Sequence, residues 1–553
     1  MAVSNSSPVR IVPLGGLGEI GLNLMVVEYA QSAIVIDAGV MFAEERALGV
    51  GLLLPELRYL EAARLKIEAV ILTHAHEDHL GALPYLLKRF PAQVYGTEVT
   101  LAFARRTLLE DRVPGVDLRK LAPGVTLELG PFRVEPVRVT HSTPDSVALA
   151  IRTPAGLIVH SGDFKIDPAP VDGVNFDTGR FAQLGAEGVD LLLSDSTNVE
   201  REGRTGSESS IKPVLRDLLA RTRGRFFLSA FSSHLHRIRQ LAEVAHEAGR
   251  YVVPLGRRMA ESVRLGIETG QLSLPPGTFI ERSEADFLEP SRLAFLTSGS
   301  QGEPLSALAK LAVDTHPSVR VEQGDVVVLS SRFIPGNERT INTLVNHLYK
   351  RGAEVLYDAI APVHVSGHAS RGELAEMIRL VQPKYFVPIH GEYRHLARHF
   401  ALAVETGMPE RNCFLLEDGE TLVLEDGEAR RGRTVEAGRV VADGEELGTA
   451  GLLRERRALA HDGTVVAIVA VSARTGKIVA GPDLLSRGVV GGDGASPHLM
   501  RARAEVTERL RGWNGFARGD DARLKSEMAR TLRRYFSDTI GRRPIIVPYV
   551  MEV

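Results

Sequence analysis

Thr73-His74-Ala75-His76-Glu77-Asp78-His79 follows directly on the apolar run Ala69-Val70-Ile71-Leu72. The run reads as a buried strand, and the polar segment as the loop leaving its end. Alternate residues on an extended chain point the same way, so His74 and His76 can face one ion. Asp78 and His79 fall where the chain turns into the amphipathic stretch Leu80–Phe90, and there they can face a second ion. Imidazole and carboxylate together suit zinc or manganese. The competing reading is a polar loop that is merely rich in histidine. So many ligand-type groups crowded at a strand end are costly to place without a cation.

Three later residues stand in similar places. Val134–Val139 alternates like a strand and ends at Thr140-His141; Leu157-Ile158-Val159 runs into His160-Ser161-Gly162-Asp163; Lys384–Ile389 ends at His390-Gly391-Glu392. Loops at one edge of a sheet are where α/β proteins build their sites. The opening segment is not the H-E-x-x-H helix of zinc proteases, because residue 80 is Leu. It resembles the H-x-H-x-D-H signature of the metallo-β-lactamase superfamily. That resemblance implies two divalent metal ions, Zn²⁺ and/or Mn²⁺. His74, His76 and His141 would hold one and Asp78, His79 and His390 the other, with Asp163 bridging them. It also implies that Asp37, at the end of the strand-like Ala33–Ile36, orients ligands and water from outside the coordination shell. This is physically reasonable, since a metal-bound imidazole usually gives its other N–H to a carboxylate. A simple turn aspartate before Gly39 is the alternative.

Gly16-Leu17-Gly18-Glu19-Ile20-Gly21 fits the dinucleotide-binding pattern G-x-G-x-x-G. Such a site needs a helix after the glycines. Here Asn23–Glu28 reads as a strand, so the glycines are expected to form a hairpin. The 553 residues, 44% hydrophobic and 24% charged, are ordinary globular composition with room for several cores. No apolar run approaches the length of a membrane helix, and Met1–Pro13 lacks the build of a signal peptide. Cys413 is the only cysteine, so no intramolecular disulfide can form and a cytoplasmic location is expected. A net charge of −3 carries no bulk signal for nucleic acid, so any such binding must come from a local basic groove.

Strand–helix alternation from about Val199 to Leu356 predicts a doubly wound parallel sheet. Its elements are strands Arg225–Ala230, Tyr251–Pro254, Leu293–Thr297 and Asp325–Ser330, and helices Leu235–Ala248, Met259–Glu268, Pro304–Val313 and Glu338–Arg351. His390 lies beyond this block, so the block is inserted into the first domain. The expected division is 1–198 and 354–426 for the metallo-β-lactamase domain and 199–353 for the insert, with a linker at 427–451 and a small α+β domain at 452–553. In that last domain helices are expected at His498–Trp513 and Ala522–Tyr535, and strands at Val465–Val471, Lys477–Val479 and Pro544–Val550. The pattern gives an α/β class with an inserted doubly wound domain and a C-terminal α+β domain, and the resemblance implies that the first domain is an αββα metallo-β-lactamase sandwich.

The insert narrows the chemistry. Asp195 closes the apolar run Leu191–Leu193, and a domain's length later come His364-Val365-Ser366-Gly367-His368-Ala369-Ser370 and then His390. This order resembles the β-CASP family of metallo-β-lactamase nucleases, whose extra motifs match Asp195, His368 and His390. Ser366–Ala369 precedes the helical pattern Arg371–Val381, and a glycine-flanked helix start offers free N–H groups to an anion. Ser232-Ser233-His234 and Ser298–Gly302 stand in comparable places, where capping alone is the other reading. Within β-CASP proteins the layout resembles the bacterial ribonuclease J family, as do Ile334-Pro335-Gly336-Asn337-Glu338 and Gly481–Gly488. That resemblance implies hydrolysis of single-stranded RNA to 5′-phosphate and 3′-hydroxyl products. It implies endonuclease action as well as 5′-to-3′ exonuclease action favouring a 5′-monophosphate, in RNA processing and decay. Asp78, Asp195 and His368 would be catalytic. Ser232, Ser233, His234, His364 and Ser366–Ala369 would contact RNA phosphate. It further implies a homodimer or homotetramer and partners in an RNA-degradation complex. Other function classes are a small-molecule metallohydrolase and a non-catalytic RNA-binding scaffold. The insert argues against the first, and the complete ligand set against the second. The basic clusters Arg454-Glu455-Arg456-Arg457 and Arg533-Arg534 read as solvated faces before they read as RNA contacts.

Overall fold

The computed structural model describes residues 7–42, 52–303, 305–334, 337–443, 446–448, 450–490, 496–511 and 521–553. It divides into two compact units, Met1–Glu44 with Leu53–Arg439, and Glu45–Leu52 with Val440–Val553.

Two sheets form the body of the first unit. An eight-stranded sheet runs in the order Glu428–Arg431, Leu422–Glu425, Val9–Gly15, Leu24–Tyr29, Ser32–Ile36, Lys66–Ile71, Val94–Gly96, Leu118–Lys120. A six-stranded sheet runs in the order Leu127–Leu129, Phe132–Arg138, Val147–Thr153, Gly156–His160, Leu191–Asp195, Tyr385–Ile389. Both faces of each sheet are covered, so the strands are apolar on both sides. Val27, Ile34, Ile36 and Ile71 of one sheet share a core with Leu149, Ile151, Ile158 and Val387 of the other. The alternate residues Val26, Val35 and Val70 pack against Leu86 and Phe103 of helices Leu83–Arg89 and Glu98–Glu110. On the far side Ala148, Val159 and Leu192 pack against Leu184 and Leu374 of helices Thr178–Glu187 and Arg371–Val381. This is the expected αββα sandwich. Each fully buried Leu, Ile or Val contributes roughly 1.5–3 kcal/mol.

The insert is a five-stranded, all-parallel sheet in the order Tyr251–Leu255, Leu293–Thr297, Phe226–Ser229, Val326–Leu329, Glu354–Tyr357. Helices Leu235–Glu247 and Arg257–Glu268 cover one face; Ala307–Ala312 and Glu338–Lys350 cover the other. The doubly wound pattern is therefore present.

Several boundaries differ from the sequence expectation. The insert does not stop at residue 353, because Glu354–Tyr357 pairs with Val326–Leu329 as the edge strand of its sheet. The linker does not begin at 427, because Glu428–Arg431 pairs with Leu422–Glu425 through a tight turn at Asp426 (φ 52°) and Gly427 (φ 74°). An Asp-Gly pair between alternating apolar residues is a hairpin signal, and the charged composition around it masked that signal. Within the same stretch Arg439–Asp443 and Glu446–Gly448 form a second hairpin. The helix expected from Pro304 starts instead at Ala307, capped by Ser306; Pro304 itself lies outside the described residues. So do Trp513, Pro335 and Gly336. The glycines at 16, 18 and 21 lead from one strand into the next with positive φ, as a hairpin and not a nucleotide loop.

The second unit is a three-stranded sheet, Ile478–Arg487, Thr464–Val471, Ile545–Glu552, with helices Pro497–Leu510 and Asp521–Ile540 packed on one face. Val465, Ala467, Val469 and Val471 are buried beneath the helices. On the strand Ile545–Glu552, Val547, Tyr549 and Met551 are exposed. No helix among the described residues is long and apolar enough to cross a membrane.

Candidate metal centre

The strands of the sandwich deliver their loops to one edge. Asp37 follows Ser32–Ile36, His74–His79 follow Lys66–Ile71, Asp163 follows Gly156–His160, and His390 follows Tyr385–Ile389. Asp37 (φ 62°) and His390 (φ 52°) both adopt the left-handed conformation, an uncommon cost for non-glycine residues. Here it turns each side chain inward at a strand end. Gly39 permits the packing of this edge: a Cβ there would lie 1.6 Å from the Asp78 carbonyl oxygen.

Two clusters of atoms converge. His76 Nδ1 lies 3.0 Å from His74 Nε2 and 3.1 Å from His141 Nε2. Asp163 Oδ2 lies 3.6 Å from His74 Nε2 and 3.9 Å from His141 Nε2. The same oxygen is 3.3 Å from His79 Nε2 and 3.4 Å from His390 Nε2. Asp78 Oδ2 completes the second cluster at 3.8 Å from His79 Nε2 and 3.9 Å from His390 Nε2.

The far nitrogen of each ring is engaged, which sets its tautomer. His74 Nδ1 faces Thr73 Oγ1 at 3.0 Å, and Thr73 Oγ1 donates to Asp37 Oδ2. His79 Nδ1 donates to Asp37 Oδ2 (2.7 Å), His141 Nδ1 to the Gly367 carbonyl (2.7 Å) and His390 Nδ1 to Asn23 Oδ1 (2.9 Å). His76 Nε2 lies 3.2 Å from Ser142 Oγ. His79 Nε2 also lies 3.1 Å from Asn23 Nδ2, while bare ring nitrogens of His74, His76 and His141 are thus aimed at one another. Their lone pairs repel unless a cation lies between them, and outer partners of this kind are what metal-ligating histidines have.

The electrostatics agree. Burial pushes His74 and His141 well below the usual imidazole value and His76 down to about 4, so these rings are neutral and able to ligate. Burial alone would raise Asp163, but His390, His79 and His74 hold it well below the ordinary carboxylate range. Burial opposes charge on His79 too, yet Asp163, Asp37 and Asp78 hold it well above its ordinary value. The carboxylates demand positive charge at that point: a proton on His79, or a cation in its place. The donor set fits a divalent metal site.

His368 stands beside this centre. Burial disfavours its charge, but Asp195 Oδ2, 2.8 Å from Nδ1, outweighs that and brings it up to about 9. Asp195 Oδ1 accepts from the backbone and hydroxyl of Thr197. Asp195 therefore orients His368. Gly367 sits against His141. A Cβ there would lie 2.8 Å from His141 Cε1 and 2.9 Å from Ser142 Oγ. Gly367→Ala is expected to displace His141 and lower kcat/KM for RNA by about tenfold or more, since a small misplacement of a reacting group is costly. Steady-state kinetics with unchanged melting temperature would establish it; unchanged kinetics would refute it.

The proposed phosphate residues lie in two turns. Ser366 Oγ accepts from the His368 N–H, and Ser370, with Glu373 as its reciprocal partner, caps helix Arg371–Val381 behind Ala369. His234 caps helix Leu235–Glu247, following the half-buried Ser232 and Ser233. His234 is electrically close to His364 and His76, and burial followed by the Arg237 charge pushes it well below its ordinary value. Ser298–Gly302 makes no helix start. Instead Gln301 Nε2 donates to Ser331 Oγ and the Arg332 carbonyl.

Sequence reading missed Asn23, Thr73, Ser142 and Glu373. Glu373 is fully buried, and its carboxylate accepts from the N–H groups of Ile166 (2.8 Å), Thr205 (2.6 Å) and Ser370 (3.0 Å), joining three segments. Only the Ser370–Glu373 spacing, a capping box, was there to be seen. Asn23 carries no comparable signal.

One buried carboxyl behind the site, Asp418, titrates far from its ordinary value. Burial and the neighbouring Glu19 carboxylate push Asp418 up to about 8, while Glu19 is bound by Arg439 and Asp418 Oδ1 accepts the Leu17 N–H. A raised acid holds a proton in the folded state that the unfolded chain has released. Asp418 therefore costs stability as pH rises from about 4 to about 8, with no further loss above. Asp418→Asn is expected to gain on the parent across that window in denaturant unfolding. A constant difference would exclude the raised value.

Comparison with known proteins agrees with this geometry. Residues 18–190 match the metallo-beta-lactamase superfamily and residues 223–348 the ribonuclease J beta-CASP domain. Residues 352–415 match the Zn-dependent metallo-hydrolase RNA specificity domain, and residues 451–553 the ribonuclease J C-terminal domain. The chain is 38% identical to ribonuclease J of Mycobacterium tuberculosis over 551 residues, 99% of this chain and 98% of that one. It is 37% identical to ribonuclease J of Helicobacter pylori over 99% of this chain and 80% of that one. It is 35% identical to ribonuclease J2 of Bacillus subtilis over the whole of both. A crystal structure of a protein of unknown function from Enterococcus faecalis shares the fold, with a TM-score of 0.52 at 18% identity over 76% of this chain and 100% of that one. With its metal-type centre, its β-CASP insert and full-length similarity to these enzymes, the chain belongs to the ribonuclease J family of metal-dependent ribonucleases.

Proposed function

We propose that the protein binds two divalent ions, zinc or manganese, and hydrolyses single-stranded RNA both internally and in the 5′-to-3′ direction with preference for a 5′-monophosphate. The observation that carries the two-ion reading is the position of Asp163 Oδ2, within 4 Å of ring nitrogens in both clusters. His74, His76 and His141 would form one set, and Asp78, His79 and His390 the other, with Asp163 common to both. Ions held there supply the Lewis acidity that activates water and offsets charge on the phosphate. Asp37 and Asn23 hold their rings in the ligating tautomer. His368, protonated and fixed by Asp195, presents its free Nε2 to the scissile phosphate or to the leaving 3′ oxygen, where it can give up a proton. Products would carry 5′-phosphate and 3′-hydroxyl ends.

For the exonuclease mode, Ser232, Ser233, His234, His364 and Ser366–Ala369 would hold the terminal phosphate. A triphosphate is bulkier and more charged and would fit poorly. We further propose a homodimer or homotetramer, with the exposed apolar side chains of the C-terminal sheet as support. A cytoplasmic role in RNA processing and decay, with partners in a degradation complex, completes the reading.

The test uses one RNA bearing a 5′-monophosphate, 5′-triphosphate or 5′-hydroxyl, incubated with Mn²⁺ or with EDTA beside a His76→Ala control. Rapid mononucleotide release from the monophosphate RNA, lost in EDTA and in the variant, is the expected result. Internal cuts blind to the 5′ end would remove the terminal-phosphate pocket. Activity surviving EDTA would remove the metal reading.

A further inference from the structure

The face that carries His364 and His368 holds two guanidinium groups in opposite electrostatic states. Arg237 is fully buried and fully compensated: it pairs with Glu208 through Nε (2.6 Å) and Nη2 (2.8 Å), and its Nη1 donates to the carbonyls of Ser330 and Val363. Arg332 is half-buried and uncompensated. Of its five N–H donors one is used, from Nη1 to Asn198 Oδ1 at 3.1 Å, and among the described residues no carboxylate forms an ion pair with it. Burial disfavours its charge first, then the Arg201 cation, and the Asp358 carboxylate offsets these only in part.

The group is held in place. Gln301 accepts the Ile334 N–H and donates to the Arg332 carbonyl and to Ser331 Oγ, clamping the turn. Asn198, which takes the guanidinium, also donates to the His368 carbonyl (3.3 Å) and Ser370 Oγ (3.1 Å). Arg332 is thus joined through one side chain to the loop beside the metal centre. A second observation points the same way: His364 Nδ1 and His234 Nε2 are buried with no hydrogen-bond partner. Both rings are in electrostatic reach of this cluster, His364 of Arg332 and His234 of His364.

A half-buried guanidinium under the influence of a second cation, with four N–H donors unused and no ion-paired carboxylate among the described residues, is a standing cost unless an anion meets it. We propose that Arg332, assisted by Arg201, binds a phosphate of the RNA and so sets substrate affinity next to the His368 loop. This rests on the RNA-hydrolase reading above and adds a specificity residue to it. Planar guanidinium donors suit phosphate oxygens in a way a lysine point charge does not fully reproduce.

The experiment compares Arg332→Gln and Arg332→Lys with the parent enzyme in Mn²⁺, on RNA with a 5′-monophosphate and on the same RNA with a 5′-hydroxyl. KM is expected to rise at least about fivefold in Arg332→Gln with little change in kcat, and Arg332→Lys should recover part of it. The plot of log kcat/KM against log salt should become shallower by about 0.7, the share of one phosphate contact on a single strand. A KM effect confined to the monophosphate RNA assigns Arg332 to the terminal phosphate; an equal effect on both assigns it to an internal one. An unchanged salt slope would overturn the proposal, whether KM is unchanged too or kcat and melting temperature fall together. If the parent enzyme degrades neither RNA, the RNA-hydrolase reading itself fails.

Discussion

Asp163→Asn is expected to reduce kcat/KM on RNA by about a thousandfold or more. One oxygen of this side chain faces His74, His79, His141 and His390 at 3.3–3.9 Å. An amide in its place loses the negative charge, and with either orientation it cannot serve both clusters as a charged ligand. Metal-assisted charge stabilisation is worth several kcal/mol, and each 1.4 kcal/mol is about tenfold in rate. Metal content measured alongside the kinetics separates the two consequences. Loss of bound metal together with activity is the expected outcome. A variant that retained full metal content and more than about a tenth of the activity would remove Asp163 from the shared position.

The second large effect concerns folding rather than chemistry. Arg237 and Glu208 are both almost wholly buried, and Gln240 adds a further bond to the same carboxylate. Burial would raise Glu208, but the Arg237 charge holds it below the ordinary carboxylate range. Arg237→Leu leaves that carboxylate in the core without its partner, a change that costs about 3–5 kcal/mol. It also removes one donor from each of the Ser330 and Val363 carbonyls, the latter keeping the Ser330 hydroxyl. The melting temperature should fall by roughly 3–6 °C, since the unfolding entropy that divides this cost grows with the size of the unit. The double variant Arg237→Leu with Glu208→Leu removes both charges and is expected to recover most of the loss. If the double variant were no better than the single one, the cost would lie in packing and not in the orphaned charge.

Much of this protein was legible before any coordinates, and the reason is local chemistry. Histidines at alternate positions after an apolar run can be read as a strand end that faces a metal, whatever surrounds them. Strand–helix alternation likewise carried the doubly wound insert, because each element shows its own period. Other boundaries were not legible for equally physical reasons. The strand Glu354–Tyr357 is short, and only its pairing with Val326–Leu329 makes it part of the insert. The hairpin at Asp426-Gly427 lay hidden in a charged stretch, where its outer strand needs only a sheet edge to join.

What the amino-acid sequence by itself determined is the chemical type of the site: which imidazoles and carboxylates occur at strand ends, and hence a metal-dependent hydrolase. What only the tertiary structure decided is how those groups act on one another. Asp195 meets His368, Asn23 fixes His390 across 367 residues, Glu373 ties three segments together, and Arg332 has no ion-paired carboxylate among the described residues. Such partnerships depend on distances between segments remote in the chain. No local periodicity encodes them, because hydrogen bonds and charge compensation are settled only when the two sheets and the insert close around them.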